Sequence, residues 1–243
     1  MSALAFYIDA PLQSWGASSK FQYRETNAFP TKSALVGLIA AALGIDKHAS
    51  DEAEHLKALS DLKLTVVRIE LAQRTPSRLT DFHTVGGGYD KKAPLWEKMS
   101  IPKKASGAAF GTVITRRSYL CDTSFVAIWE GDAATLARVQ AALLDPVWGV
   151  WFGRKTCLPA SPLTPTLGED RQKAFDALLE RLPEQTPTSL EAFEYQEELQ
   201  SDSEQDSSFY QSDQAIAFGQ HHGAVPAAYR ARNIRQHRPV KES

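Results

Sequence analysis

The apolar positions fall into short blocks, and their spacing changes from block to block. Leu4 to Ile8 is an unbroken apolar run with two aromatic rings, which predicts a strand buried on both faces. Asp9-Ala10-Pro11 ends it. Residues 11–30 form a long connection rich in Ser, Gly and Asn, carrying Gln13, Trp15, Lys20, Tyr23 and Arg24. Leu35, Leu38, Ile39, Ala42 and Leu43 then recur at helical spacing, with Pro30-Thr31 as a start signal and Gly44 as a stop. Asp51 to Leu59 predicts a short second helix. Lys63 to Leu71 (KLTVVRIEL) alternates as a strand, and Arg78 to Val85 predicts a strand able to pair with it as a hairpin. Gly86-Gly87-Gly88 breaks the regular structure, and Tyr89 to Gly111 shows little periodicity. Thr112 to Tyr119 and Phe125 to Trp129 predict strands, Ala133 to Leu144 an amphipathic helix, and Trp148 to Phe152 a last strand.

Strand, helix, strand, strand, helix, strand is the order of an α+β, ferredoxin-like unit, here with residues 85–111 inserted. That architecture includes RNA-recognition modules, whose sheets bind single strands, although a fold does not by itself fix a function. After Pro159 the pattern weakens. A helix is expected near Arg171 to Leu182, and the remainder reads as a small loop-rich part ending in a basic tail. Two units are therefore expected, 1–158 and 159–243.

Composition changes the picture in one respect. The 243 residues are 43% hydrophobic and 23% charged, ordinary values that exclude fibrous and fully disordered classes. The longest apolar stretch, Ala34 to Leu43, is too short to span a bilayer, and the N-terminus lacks the basic start of a secretory signal. Cys121 and Cys157 cannot build a disulfide framework, so a reduced, cytoplasmic setting is expected, with no metal or cofactor. The net charge of −2, however, conceals an asymmetry. Gly168 to Asp206 holds twelve acids against three bases. Asp81 to Tyr119 holds seven Lys/Arg against three acids, and Pro226 to Ser243 five against one. Phosphate attraction is local, so basic segments matter even on an acidic chain.

Several small constellations carry candidate chemistry. Thr31-Lys32-Ser33 lacks the glycines of a phosphate-binding loop; Lys32 at a helix start would hold one phosphate, or would simply decorate a capped helix. Asp81 and His83 share a strand face, which suits a structural hydrogen bond better than catalysis. Tyr89, Lys91, Lys92, Lys98, Lys103 and Lys104, with Trp96 and Phe110, make a basic segment with aromatic faces, as in single-strand binders. Arg116 and Arg117 are adjacent on a strand and face opposite sides. Gly153-Arg154-Lys155 offers close backbone approach beside two cations.

PLQSWG (11–16), FPTKSALVGLIAAALGI (29–45), DFHTV (81–85), ITRRSYLCDTSF (114–125) and GRKTCLP (153–159) occur in one order over roughly the first two-thirds of the chain. Together they resemble the CasD family of the RAMP superfamily, the family-five Cas subunits of the type I-E CRISPR surveillance complex, Cascade. The resemblance implies a modified RNA-recognition fold with a β-hairpin thumb at 85–111, whose stems are DFHTV and ITRRSYLCD. It implies a non-catalytic subunit that holds the 5′ handle of the CRISPR RNA. Its partners would be the backbone subunit CasC and the large subunit CasA, with target DNA reached through the complex. RNA contacts are expected from Arg24, Lys32, Arg116, Arg117, Arg154 and Lys155, and from Lys91, Lys92 and Trp96 on the thumb. Trp15 and Tyr23 are stacking candidates, each equally compatible with the core. A related branch, in type I-C systems, cleaves precursor RNA without metal; His83, Tyr89, Lys91 and Lys92 would serve that alternative endoribonuclease. In the type I-E branch a separate subunit, CasE, processes the RNA.

Overall fold

The computed structural model describes residues 2–16, 19–20, 22–71, 73–85, 92, 94, 96, 113–182, 189–199, 208–216, 218 and 229–239. The strands are β1 (Ser2–Asp9), β2 (Leu12–Gln13), β3 (Ser19–Lys20), β4 (Tyr23–Arg24), β5 (Lys63–Ile69), β6 (Ser77–Val85), β7 (Val113–Cys121), β8 (Ser124–Gly131), β9 (Thr166–Gly168), β10 (Tyr195–Glu198), β11 (Ser208–Ala215) and β12 (Tyr229–His237). The helices are α1 (Lys32–Leu43), α2 (Glu52–Ser60), α3 (Ala133–Leu144) and α4 (Arg171–Leu179). No described helix is long and apolar enough to cross a membrane.

The main sheet has seven strands in the order β11-β12-β10-β5-β8-β1-β9. β1 is buried along nearly its whole length because both of its faces are covered. Leu4, Phe6 and Ile8 point into one core with α1, α2 and α3. Ala3, Ala5 and Tyr7 point the other way, against Ala174, Phe175, Leu178 and Leu179 of α4. The sheet face that an open βαββαβ unit would offer to a ligand is thus closed by α4.

α1 begins where Thr31 accepts a hydrogen bond from the Ala34 amide and ends at Gly44, which sits at φ 72° and turns its amide back to Ala40 and Ala41. A Cβ at Gly44 would lie 2.9 Å from the Val147 side chain, so both backbone conformation and space require glycine.

Three expectations are corrected. β6 does not pair with β5; it pairs antiparallel with β7, from Ser77↔Cys121 to Val85↔Val113. β5 is a buried strand and takes β8 and β10 as neighbours, whereas β6 is mostly exposed and pairs with the largely half-buried β7 outside the main sheet. The edge strand beside β1 is Thr166–Gly168, and Trp148 to Phe152 is not a strand. In that segment Phe152 folds inward against Trp15, its amide donates to Cys157 O, and its carbonyl accepts from Ser14 N. The chain after Pro159 is less loop-rich than its composition suggests. β9 to β12 and α4 all come from it, and all join or cover the main sheet.

A second sheet, β2-β7-β4-β3 with β6 on β7, stands beside the first.

Candidate nucleic-acid interface

The second sheet brings the predicted cations together. β4 runs parallel to β7 with Tyr23 opposite Arg116 and Arg24 opposite Arg117. On the other side of β7, Phe82 is opposite Arg116 and Asp81 opposite Arg117. Side chains directly opposite share a face, so Tyr23, Arg116 and Phe82 form one row and Arg24, Arg117 and Asp81 form another. The Arg116 guanidinium lies 5.4 Å from the Tyr23 ring centre and 5.6 Å from that of Phe82. It also donates to the Tyr23 hydroxyl at 3.0 Å, and its backbone amide donates to Gln22 O at 2.7 Å. Tyr23 is 50% exposed and Phe82 58%. On the opposite face Arg117 Nε donates to Thr115 Oγ1 at 3.2 Å.

Arg154 ties the 149–158 segment to this sheet. Nη1 donates to Ser118 O and Nη2 to Arg24 O, both at 2.8 Å, while the guanidinium lies 4.5 Å over the Tyr119 ring. Gly153, at φ 95°, makes the approach possible: a Cβ there would sit 1.7 Å from Ser14 O. Arg154 therefore braces two strands, and its planar fork suits that task. Lys155 is exposed and lies 5.5 Å from the Trp151 ring centre. A shallow hollow of about 330 Å³ opens here, lined by Ser14, Gly16, Arg24, Glu25, Ser33 and Arg154, among others. Among the described residues no carboxylate is within ion-pair distance of Arg24, Arg116, Arg117, Arg154 or Lys155.

Two expected contacts are corrected. Lys32 is 1% exposed. Its ammonium donates to Ser60 O at 2.7 Å and to both Glu198 carboxylate oxygens at 3.0 and 2.7 Å. Burial pushes its pKa down, with Glu198 pulling the other way. The α1 N-terminus is also taken, since Lys32 N donates to Asp213 Oδ2 at 2.8 Å. The position thus has no free donor for a phosphate. Trp15 is fully buried, packed on Phe152, with its indole N–H donating to Gln13 Oε1 at 3.0 Å; it is core. Lys92, Pro94 and Trp96 are exposed, and the other residues of 86–111, with Tyr89 and Lys91, lie outside the described residues. Asp81 and His83 do share a face, and His83 Nδ1 is buried with no hydrogen-bond partner among the described residues.

Phe82 was not among the residues singled out from the sequence. The signal was present: it is a large aromatic between Thr80 and Thr84 on a strand face otherwise made of polar residues.

The basic tail meets acids that precede it, Asp213 on β11 and Glu194 and Glu197 in the acidic stretch. Arg232 Nε and Nη2 donate to the Asp213 carboxylate at 2.5 and 2.8 Å, with both side chains buried. Glu197 on β10 accepts from Arg171 at 2.7 Å and from Arg235, with Lys63 at 3.8 Å. Burial pushes the Glu197 carboxyl up, but the hydrogen bonds and charges of Arg171 and Arg235 outweigh it and hold the group below its ordinary value. Glu194 binds Arg68 at 2.7 Å and has Arg238 at 3.6 Å. Tail cations Arg232, Arg235 and Arg238 are thereby matched by carboxylates within the chain.

An α+β protein with a main sheet covered on both faces and a smaller, aromatic-faced sheet carrying Arg24, Arg116 and Arg117, which have no carboxylate partner among the described residues, is the class this geometry defines. The chain matches the model of a family described as CRISPR-associated protein (Cas_Cas5) over residues 3–224, and it belongs to that family. It is 34% identical over 170 residues to the CRISPR system Cascade subunit CasD of Escherichia coli (strain K12), covering 67% of this chain and 69% of that one. A solved structure described as a CRISPR RNA-guided surveillance complex contains a similar chain, with TM-score 0.68 and 26% identity over 96% of this chain and 88% of that one. A second, described as a Cas protein, shares the fold at TM-score 0.55 and 22% identity, covering 96% of this chain and 93% of that one.

Proposed function

We propose that this chain is a Cascade-type subunit that holds the 5′ handle of a CRISPR RNA and joins the backbone subunit to the large subunit in antiviral defence. It acts in the cytoplasm, without cofactor and without catalysis. The core is read as ferredoxin-like, because β5-β8-β1-β9 with α1 and α3 has the strand order of a split βαβ unit. The β6–β7 pair is read as the stem of the thumb, which leads into the 85–111 segment. The likeness to the E. coli Cascade subunit supports the assembly reading.

The observation that carries the RNA reading is the small sheet, where Arg24, Arg116 and Arg117 have no carboxylate partner among the described residues and Arg116 lies between two exposed rings. Arg and aromatic side chains together are the chemistry that takes phosphates and unpaired bases. The test is to incubate the purified full chain with labelled repeat RNA in EDTA and resolve it on native and denaturing gels. Intact RNA that shifts on the native gel is the expected result. Specific cleavage would make the protein a metal-independent endoribonuclease and bring His83 and the neighbouring Tyr89, Lys91 and Lys92 forward as catalytic candidates.

A further inference from the structure

The row Tyr23–Arg116–Phe82 crosses three adjacent strands in exact lateral register. Neighbouring strands are about 4.8 Å apart, so the two rings are rooted about 10 Å from each other with the arginine between them. The guanidinium lies 5.4 and 5.6 Å from the two ring centres and is hydrogen-bonded to the Tyr23 hydroxyl. Cation–π contact of this kind, about 0.5–1 kcal/mol at an exposed site, favours this placement of the rings beside the arginine. Along the strands their neighbours on this face are Thr80 and Thr84 on β6 and Ile114 and Ser118 on β7. About half of each ring remains exposed. Two aromatic side chains placed beside one arginine and left wet form a surface ready to be covered.

What covers it follows from shape and charge. A single base cannot be sandwiched, because Arg116 occupies the space between the rings. Each ring offers a flat face to a base of its own. The cation between them suits the phosphate linking two such bases. Paired bases in a duplex are already stacked, so the occupant is a single strand. We infer that Tyr23 and Phe82 are a two-base stacking platform for unpaired nucleotides of RNA, with Arg116 as the positioning residue that holds both rings. The inference rests on the RNA-binding reading above and adds which residues take bases rather than phosphates.

The experiment uses the full chain and single-stranded repeat RNA carrying 2-aminopurine at successive handle positions, with affinity measured across a salt series. Wild-type protein should alter the 2-aminopurine emission at two positions. Phe82→Ala should abolish the change at one of them and weaken affinity about tenfold, the scale of one base–aromatic stack, with the salt slope unchanged. Phe82→Tyr should behave as wild type. Arg116→Lys keeps the charge but loses the planar fork, so it should lower affinity with little change in slope. Because both rings are exposed, these variants should melt with the wild type. Wild-type affinity and emission in both Phe82→Ala and Tyr23→Ala would overturn the platform while leaving RNA binding intact. So would a Phe82→Ala defect confined to association with the other protein subunits. Absence of any RNA binding by wild-type protein would remove both the platform and the function proposed above.

Discussion

Arg232 and Arg116 both sit in the middle of a strand, and their surroundings are opposite. Arg232 is buried, with its fork on Asp213, inside a sheet where Glu194, Glu197 and Glu198 meet Arg68, Arg171, Arg235 and Lys32. Arg116 is exposed, stands between two rings and has no carboxylate partner among the described residues. In the first region the cations are spent on the fold, because a buried charge without a partner is severely destabilising. In the second they are supported by ring faces, hydroxyls and backbone carbonyls, none of which neutralises them. The same residue type is therefore neutralised inside one sheet and left without a carboxylate on the other, where we propose that RNA binds, and the difference lies in whether a carboxylate is near.

Three measurements press on that contrast. The largest effect is expected at Asp213, which receives Arg232 and the α1 amide of Lys32. Asp213→Ala leaves a buried guanidinium uncompensated and should lower stability by about 3–5 kcal/mol in urea unfolding. A loss below about 1 kcal/mol would mean that the paired sheet does not depend on its charges.

The next concerns acid. The Glu197 carboxyl is held below its usual 4.5 in the folded chain. Its contribution is then fully present above pH 4.5 and is lost as pH falls through the lower folded value. Wild-type stability should fall through that window, and Glu197→Gln should flatten the fall. Parallel curves for the two proteins would show that the ion cluster does not set acid sensitivity.

The smallest effect separates two surface cations by a slope. Lys155→Ala should reduce the log–log salt dependence of RNA affinity by about 0.7, the share of one single-strand phosphate contact. Arg238→Ala, whose partner is the distant end of Glu194, should leave that slope alone and change stability by less than about 1 kcal/mol. Equal slopes for both variants would erase the distinction between the two regions.

Much of the core was legible along the chain. The unbroken run of β1, the capped helix α1, the alternation of β5 and the apolar run of β8 are local patterns, and the structure has these elements where the sequence puts them. Arg116 and Arg117 on opposite faces of one strand also followed from the period of two. The corrections share a cause. Lys32 reads as a surface cation at a helix start, yet Glu198 and Asp213 arrive from more than 160 residues away to bury it. Trp148 to Phe152 reads as a strand by composition, but glycines and the inward packing of Phe152 leave the edge of the sheet to Thr166–Gly168.

What the sequence by itself determined is therefore the elements with a strong period and the family to which their motifs belong. What only the tertiary structure decided is the fate of each charge. Hydrophobic periodicity is a local property, written within ten or fifteen residues. Whether an arginine is neutralised depends on a carboxylate that the fold brings within 4 Å from anywhere in the chain, and no local pattern records that meeting.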